Sequence, residues 1–314
     1  MKYRIEIEPP DISAYRKGSS GVDYVHVFDS GKPGPSVMVQ ALTHGNEFSG
    51  AIGLHFLFKE KISPVRGKLT LAFANVAAFE RFDFADPDRS RYIDEDYNRV
   101  WADAVLGGAR DSAELRRARE LRPFVDAADY LLDLHTMTEP CRPIMVCGLL
   151  DKGAEFARRV GVPADLLIDT GHPAGLRMRD RGGFGDPASP KNALLIEAGQ
   201  HWEKSSVDVA IDTSLRFLRA AGTIEGTWAE PRLRVKPPAR QRVVRVTEPV
   251  VAKSAEFRFA QPWQGLEVIA QAGTVLAMDG DKVWRTPYSD CVLVMPSTAH
   301  VKPGNTMLRL GRYD

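Results

Sequence analysis

The sequence has no long apolar run, little cysteine and almost no net charge. No stretch approaches the 18 or so apolar residues of a membrane-spanning helix, so no span is expected. The cysteines, Cys141, Cys147 and Cys291, form no C-x-x-C pair, which argues against a disulfide scaffold and suits a reducing compartment. The first residues, MKYRIEIEPPDIS, lack the apolar segment of a signal peptide. Together these features predict a cytoplasmic protein.

The charge balance also excludes classes of partner. The chain has 42 Lys and Arg against 41 Asp and Glu, a formal net charge of +1. No global field attracts it to nucleic acid or to an anionic membrane, so we expect neither as a partner. With 314 residues, 44% of them hydrophobic, it can form one large domain or one large and one small.

Apolar runs bounded by turn residues alternate with segments of helical spacing. Strands are predicted at 22–28, 36–42, 68–75, 128–135 and 193–197, and helices at 48–61, 113–128, 154–160 and 207–221. The charged segment 76–99 reads as an ordered loop with short turns. This alternation predicts an α/β domain with a mixed, largely parallel sheet flanked by helices.

The character of the sequence changes after Gly226. Residues 230–241 are proline-rich and basic, which is typical of a boundary, and 242–314 show short strands with Gly and Pro turns. We therefore predict a first domain over 1–230 and a small, mostly β domain over 231–314. We expect the second to act as a lid or an oligomer surface, and a homo-oligomer is compatible with the sequence.

Three polar residues follow predicted strands at the same end. His44 and His135 each come at the end of an apolar run, and Glu197 follows Ala-Leu-Leu-Ile. Ligands of open α/β sheets bind beyond the carboxyl ends of the strands, so we expect these side chains to converge. Glu47 lies three residues after His44, where a strand passes into a helix, and Gly45 permits the tight backbone that aims both at one point.

His44, Glu47 and His135 have the chemistry of a catalytic zinc site. Imidazole nitrogen and carboxylate oxygen are good zinc ligands, and three of them leave one position open for water. Alone, H-x-x-E is a weak motif, since Glu47 also suits a solvated helix N-terminus and His135 a core histidine. Glu197 reads as a surface carboxylate or as a buried one that needs a partner.

Four segments together are far more specific than any one of them. They are His44-Gly-Asn-Glu47, Asp96-Tyr-Asn98-Arg99, Asp133-Leu-His135 and Glu197-Ala-Gly. In order and spacing they resemble the succinylglutamate desuccinylase/aspartoacylase family of zinc hydrolases, which is related to the carboxypeptidases, and the run 91–99 resembles the aspartoacylase pattern. The resemblance covers about residues 40–200 and implies a zinc-carboxypeptidase-like catalytic domain over 1–230.

The family implies a role for each matched residue. One zinc ion per chain would be held by His44, Glu47 and His135. Glu197 would activate the attacking water and pass its proton to the leaving nitrogen, and Arg91 would stabilise the oxyanion.

Asn98 and Arg99 would bind the carboxylate of the amino-acid part of the substrate. Without the resemblance, Arg91 and Arg99 read as solvated charges in a charge-rich segment. Asp96 and Asp133 fit either an orienting contact to the ligand imidazoles or ordinary buried ion pairs.

The chain also departs from the family pattern. Aspartoacylases have Asn after the histidine, where this chain has Thr136, and an arginine shortly before the catalytic glutamate, where it has 187–192. Its nearest arginines, Arg177, Arg179 and Arg181, lie further upstream. The resemblance therefore does not extend to specificity for N-acetylaspartate. A family tyrosine from the C-terminal domain aligns only loosely with Tyr288, for which core packing or exposure is the alternative.

The leading hypothesis is a zinc-dependent amidohydrolase that cleaves a small N-acyl amino acid. The enzyme alternatives are a carboxypeptidase acting on short peptides and an esterase acting on a small carboxylate-bearing substrate. The non-enzyme alternative is a zinc-binding pseudoenzyme. Glu197 argues against it, because a structural zinc site needs no separate base.

Overall fold

The computed structural model describes residues 3–299 and 301–314. The strands of these residues are β1 Val25–Asp29, β2 Ser36–Ala41, β3 Lys68–Phe73, β4 Tyr130–Met137, β5 Ile144–Gly148, β6 Asp165–Ile168, β7 Asn192–Gln200, β8 Arg242–Val251, β9 Arg258–Phe259, β10 Val268–Ile269, β11 Val275–Asp279, β12 Lys282–Arg285, β13 Cys291–Val294 and β14 Thr306–Tyr313.

Eleven of these strands form one mixed central sheet. Its order is β1-β3-β2-β4-β7-β5-β6-β8-β14-β13-β10. Strands β3, β2, β4 and β7 run parallel, whereas β5 is antiparallel to β7. Strands β2, β4 and β7 are buried along nearly their whole length, which is why their sequences are continuous apolar runs rather than alternating ones. Their carboxyl ends therefore lie side by side at one edge of the sheet.

Helices cover the sheet. They are α1 Ser49–Lys59, α2 Val76–Phe79, α3 Asp103–Leu106, α4 Ala113–Ala127, α5 Asp151–Val160, α6 Lys204–Ala220 and α7 Gly226–Ala229, with short 3-10 turns at Ser13–Tyr15, Pro87–Ser90, Tyr97–Arg99, Met178–Asp180, Gly182–Phe184 and Glu230–Arg232.

Helix α1 packs unusually close to β4 because of a glycine. A Cβ on Gly50 would approach the Leu134 Cβ to 2.7 Å, so a larger residue would push the helix off the sheet. The helix begins at Ser49, directly after the loop that follows β2. The close contact therefore places residues 44–47 beside the end of β4.

The C-terminal β region is present, and its backbone continues the central sheet. Strand β8 pairs in parallel with β6, and β14, β13 and β10 follow it outward. Strands β9, β11 and β12 form a separate small sheet. Leu276, Leu293 and Leu308 belong to a hydrophobic cluster that this region forms for itself. The domain boundary near residue 230 stays a prediction.

The predicted fold class is confirmed, and the structure adds two strands to it. Strands β5 and β6 were not predicted from the sequence, because apolar runs of four or five residues do not distinguish a strand from a buried turn or helix. No helix within the described residues combines the length and the apolar character needed to cross a membrane.

Candidate active site

The predicted site residues converge at the carboxyl ends of three neighbouring strands. His44 and Glu47 lie in the loop between β2 and α1, His135 lies in β4 and Glu197 in β7. His135 and Glu197 are direct register partners across the parallel β4–β7 pair. Side chains far apart in sequence are brought together because parallel strands end at a common edge.

His44, Glu47 and His135 form a compact, buried group, which we call the metal corner. The Glu47 Oε1 atom lies 2.7 Å from His44 Nδ1, and Oε2 lies 3.0 Å from His135 Nδ1. One ligand atom from each residue lies within 4.8 Å of the others, so the group can hold a metal ion. The donor set, two imidazoles and one carboxylate, is one that zinc uses in catalytic sites.

An aspartate fixes the far nitrogen of each imidazole. His44 Nε2 lies 3.0 Å from Asp96 Oδ1, and His135 Nε2 lies 2.8 Å from Asp133 Oδ2. Asp133 also accepts a 2.7 Å hydrogen bond from Thr43 Oγ1. Both aspartates contact the imidazoles, which is one of the two alternatives that the sequence left open, and they leave both Nδ1 atoms facing Glu47.

The metal corner carries strongly shifted pKa values. Burial opposes the charge of Glu47, but His44 and His135 hold the pKa of that carboxyl well below its ordinary value. Burial likewise opposes a charge on His135, yet Asp133 and Glu47 raise the pKa of the ring well above its ordinary value. A group of this kind favours a positive charge at its centre.

Glu197 faces the same space with an unpaired oxygen. Its Oε2 atom is buried and accepts no hydrogen bond from any described residue. Burial raises the pKa of Glu197 to about 7, against the opposing charge of His135. A carboxyl with a pKa near neutrality can take up and release a proton under physiological conditions.

Arg91 reaches over the metal corner from the 76–99 segment. Its Nη1 donates to Glu47 Oε1 at 3.2 Å, and its Nη2 lies 3.1 Å from His44 Nε2. Its Nη2 also donates to Asp96 Oδ2 at 3.4 Å. The predicted solvated alternative does not describe this side chain, which is 23% exposed and paired with buried groups.

Asn98 and Arg99 line the same cavity. Asn98 is buried, and its Oδ1 accepts a 2.9 Å hydrogen bond from the Met178 amide. Arg99 donates to the Asn98 carbonyl at 2.8 Å, and its nearest carboxylate oxygen, on Asp96, is 3.8 Å away. Burial lowers the pKa of Arg99 to about 10.

Arg177, Arg179 and Arg181, the arginines upstream of Glu197, lie in different environments. Arg177 lines the cavity, but its charge is neutralised by Asp169 at 2.6 Å and Asp180 at 2.5 Å. Arg179 and Arg181 donate to backbone carbonyls and to the carboxylates of Asp180 and Asp126, respectively, and neither is among the residues that line this cavity.

Among the lining residues that the sequence interpretation missed, two carry polar groups of interest, Arg309 and His201. Arg309, on β14, enters from the C-terminal β region, with its Nε 3.9 Å from Asp169 Oδ2 and no hydrogen bond from its guanidinium to any described residue. We call Arg99 and Arg309 the arginine end of the cavity. His201, just after β7, is another missed residue. No local motif marks either one.

Tyr288 packs elsewhere. Its hydroxyl lies 2.6 Å from Thr247 Oγ1, and the Arg312 guanidinium lies 3.8 Å from its ring centre. It is not among the described residues that line the cavity. The environment of Tyr288 therefore matches the alternative of a packing role outside the cavity.

The metal corner, Glu197 and the arginine end share one cavity of about 220 Å³. That volume suits a small molecule. Met295, Pro296 and Thr306 join Arg309 in lining it, so the C-terminal β region forms part of its wall.

Sequence comparison identifies one family. Residues 33–219, more than half of the chain, match the model described as the succinylglutamate desuccinylase/aspartoacylase catalytic domain. The match includes the metal corner and Glu197. No curated protein sequence matches this chain significantly.

Solved structures share the fold over most of their length. Succinylglutamate desuccinylase from Vibrio parahaemolyticus has a TM-score of 0.64 and 15% identity, covering 89% of this chain and 82% of that one. The enzyme from Vibrio cholerae has a TM-score of 0.67 and 16% identity, covering 92% and 85%. The ectoine utilization protein EutE from Ruegeria pomeroyi, in a product-bound structure, has a TM-score of 0.63 and 16% identity, covering 92% and 88%. At these identities the likeness establishes the fold alone.

Proposed function

The chain belongs to the succinylglutamate desuccinylase/aspartoacylase family, a family of deacylases, and from that premise we propose that it is a zinc-dependent hydrolase of N-acyl amino acids. The observation that carries the proposal is the convergence of three metal-ligand atoms within 4.8 Å and a buried, unpaired Glu197 oxygen in one cavity. A metal site without a separate base would not account for Glu197.

The residues present fit zinc. His44 Nδ1, His135 Nδ1 and the Glu47 carboxylate would hold the ion, since these atoms already face one another at 2.7 and 3.0 Å. When bound, zinc lowers the pKa of water and polarises a carbonyl oxygen. Asp96 and Asp133 would keep the two imidazoles in the orientation that presents Nδ1.

Glu197 would act as the proton carrier of the reaction. As a carboxylate, it would take a proton from the attacking water at its unpaired Oε2 and then donate it to the departing amine nitrogen. Burial raises the pKa of Glu197 to about 7, so the protonated and ionised forms are both accessible near neutral pH. The same residue can therefore serve both steps.

The arginines would hold and polarise the substrate. Arg91, beside the metal corner, would stabilise the negative charge that develops on the scissile carbonyl oxygen. Asn98 and Arg99 would bind the carboxylate of the amino-acid part, because Arg99 has no closer carboxylate than the 3.8 Å contact to Asp96. Arg309 adds a second cation at that end.

Replacing Glu197 by Gln tests the proposal, because it removes the base and keeps the shape. We expect bound zinc to stay at about one ion per chain and hydrolysis to fall about 100- to 10,000-fold. Activity would be measured on N-acetyl, N-succinyl and longer N-acyl amino acids, with dipeptides and esters in the same screen. Glu155→Gln, an exposed change on α5, is the matched control.

The outcomes separate the competing functions. Hydrolysis of dipeptides or esters in preference to N-acyl amino acids would favour the carboxypeptidase or esterase alternative. Zinc binding without hydrolysis of any substrate would indicate the pseudoenzyme. A Glu197→Gln variant as active as the wild type would exclude the mechanism, and absence of zinc affinity would exclude the site.

A further inference from the structure

His201 is a buried imidazole that the proposed chemistry leaves unused. It is 1% exposed and follows β7 directly, four residues after Glu197. Its Nδ1 lies 2.8 Å from Thr136 Oγ1, and its Nε2 lies 3.2 Å from Thr138 Oγ1. Both threonines follow His135, so the ring joins the chain segment after the β4 histidine to the segment after the β7 glutamate.

The ring is electrically neutral in this setting. Burial lowers the pKa of His201 to about 3, despite the opposing charge of Glu47. A neutral imidazole has one donor nitrogen and one acceptor nitrogen, and a threonine hydroxyl can satisfy either. The contact is therefore a fixed cross-link between two hydroxyls rather than an ion pair.

Thr136 carries this cross-link to the metal corner. Its backbone N–H donates to Glu47 Oε2 at 3.1 Å, and the same oxygen lies 3.0 Å from His135 Nδ1. The orientation of the Glu47 carboxylate thus depends on where the Thr136 amide lies. His201 in turn holds Thr136 in place, because its ring contacts the Thr136 hydroxyl.

The β4–β7 ladder is irregular beside this cross-link. Its register slips between the His135–Glu197 pair and the Met137–Gln200 pair, so β7 has an extra residue there. A bulge of this kind interrupts the ladder hydrogen bonds that otherwise fix one strand against the other. Beyond it, His201 restores the connection through its ring and through a 2.9 Å bond from its amide to the Met137 carbonyl.

We propose that His201 is a positioning residue that fixes the Glu47 carboxylate through Thr136 and thereby sets the zinc affinity of the metal corner. The inference rests on the proposed zinc site but not on the identity of the reaction. Partners that orient metal ligands typically contribute about 10- to 100-fold in metal affinity or activity.

The test is zinc affinity, measured on purified full-length protein by competition with a chelator. Thr136→Val is nearly isosteric and keeps the amide that contacts Glu47, but it lacks the hydroxyl that contacts His201. We expect Thr136→Val and His201→Leu each to weaken zinc binding about 10- to 100-fold. The double variant should be no weaker than either single variant, because both remove the same link.

Thr136→Ser is the matched control, since it retains the hydroxyl, and its zinc affinity should stay within about threefold of the wild type, within the usual scatter of such measurements. Wild-type affinity in Thr136→Val, or losses that add in the double variant, would overturn the proposal. If His201→Leu does not fold, as judged by circular dichroism, the Val and Ser pair at Thr136 still decides the question.

This experiment also separates the inference from the proposed function. A wild-type protein that binds zinc but hydrolyses nothing would remove the deacylase proposal, while the affinity ratios would still test His201. A wild-type protein that binds no zinc would overturn both.

Discussion

The two ends of the cavity hold their charged groups in opposite ways. In the metal corner, Glu47 contacts both histidines, and an aspartate fixes the far nitrogen of each ring. In the arginine end, the nearest carboxylate oxygens lie 3.8 Å from Arg99 and 3.9 Å from Arg309. The charged groups of the metal corner each have close polar partners, whereas the two guanidinium groups of the arginine end have no carboxylate of any described residue within hydrogen-bonding distance.

The difference indicates which kind of ligand each end of the cavity favours. The contacts of the metal corner fix three ligand atoms around one point, which lowers the cost of arranging them around an ion. A partly buried cation without close partners is costly unless an anion binds beside it, so the arginine end favours a ligand carboxylate. Three predictions test this contrast.

The largest expected effect comes from pH. The pKa of His135 is raised well above its ordinary value, so the ring is protonated in the metal-free protein, and zinc must displace that proton. Below the raised pKa, zinc affinity should fall as the pH is lowered, by about tenfold per pH unit. Calorimetric titration in buffers of different ionisation enthalpy measures both the affinity and the proton released; affinity independent of pH would contradict the assignment.

Asp133→Asn should have a somewhat smaller effect. The amide keeps an oxygen for His135 Nε2 but lacks the charge that raises the pKa of the ring. We expect zinc affinity at neutral pH to fall about 10- to 100-fold, with a weaker dependence on pH. Chelator competition measures it, and Asp165→Asn, another buried carboxylate on the same sheet, should leave zinc affinity unchanged. Equal losses in both variants would indicate general destabilisation.

Arg309→Met tests the opposite end and should have the smallest effect. Loss of a charged contact to the substrate carboxylate should raise KM about tenfold, with kcat and bound zinc changed little. A substrate whose carboxylate is replaced by an amide should not distinguish the variant from the wild type. Arg312→Met, on the same strand but stacked on Tyr288, is the control. A fall in kcat alone would show that Arg309 acts in another way.

The contrast between the two ends also shows where prediction from the sequence succeeded. His44, His135 and Glu197 each follow an apolar run that is buried on both faces, and such runs are recognisable without a structure. Because strands of one parallel sheet end at one edge, their convergence could be expected. The short strands β5 and β6 could not, and they place β5 antiparallel to β7.

Local sequence patterns were enough to predict the fold class, the position of the metal corner at the strand ends and the presence of a C-terminal β region. Two features became visible only in the folded chain. Strands β8 and β14 continue the central sheet and bring Arg309 into the cavity, and His201 contacts Thr136 across a bulge. The physical reason is the range of the interactions. Strand ends are encoded by local patterns of apolar and turn residues, whereas strand order and register depend on packing between distant segments, which no local pattern records.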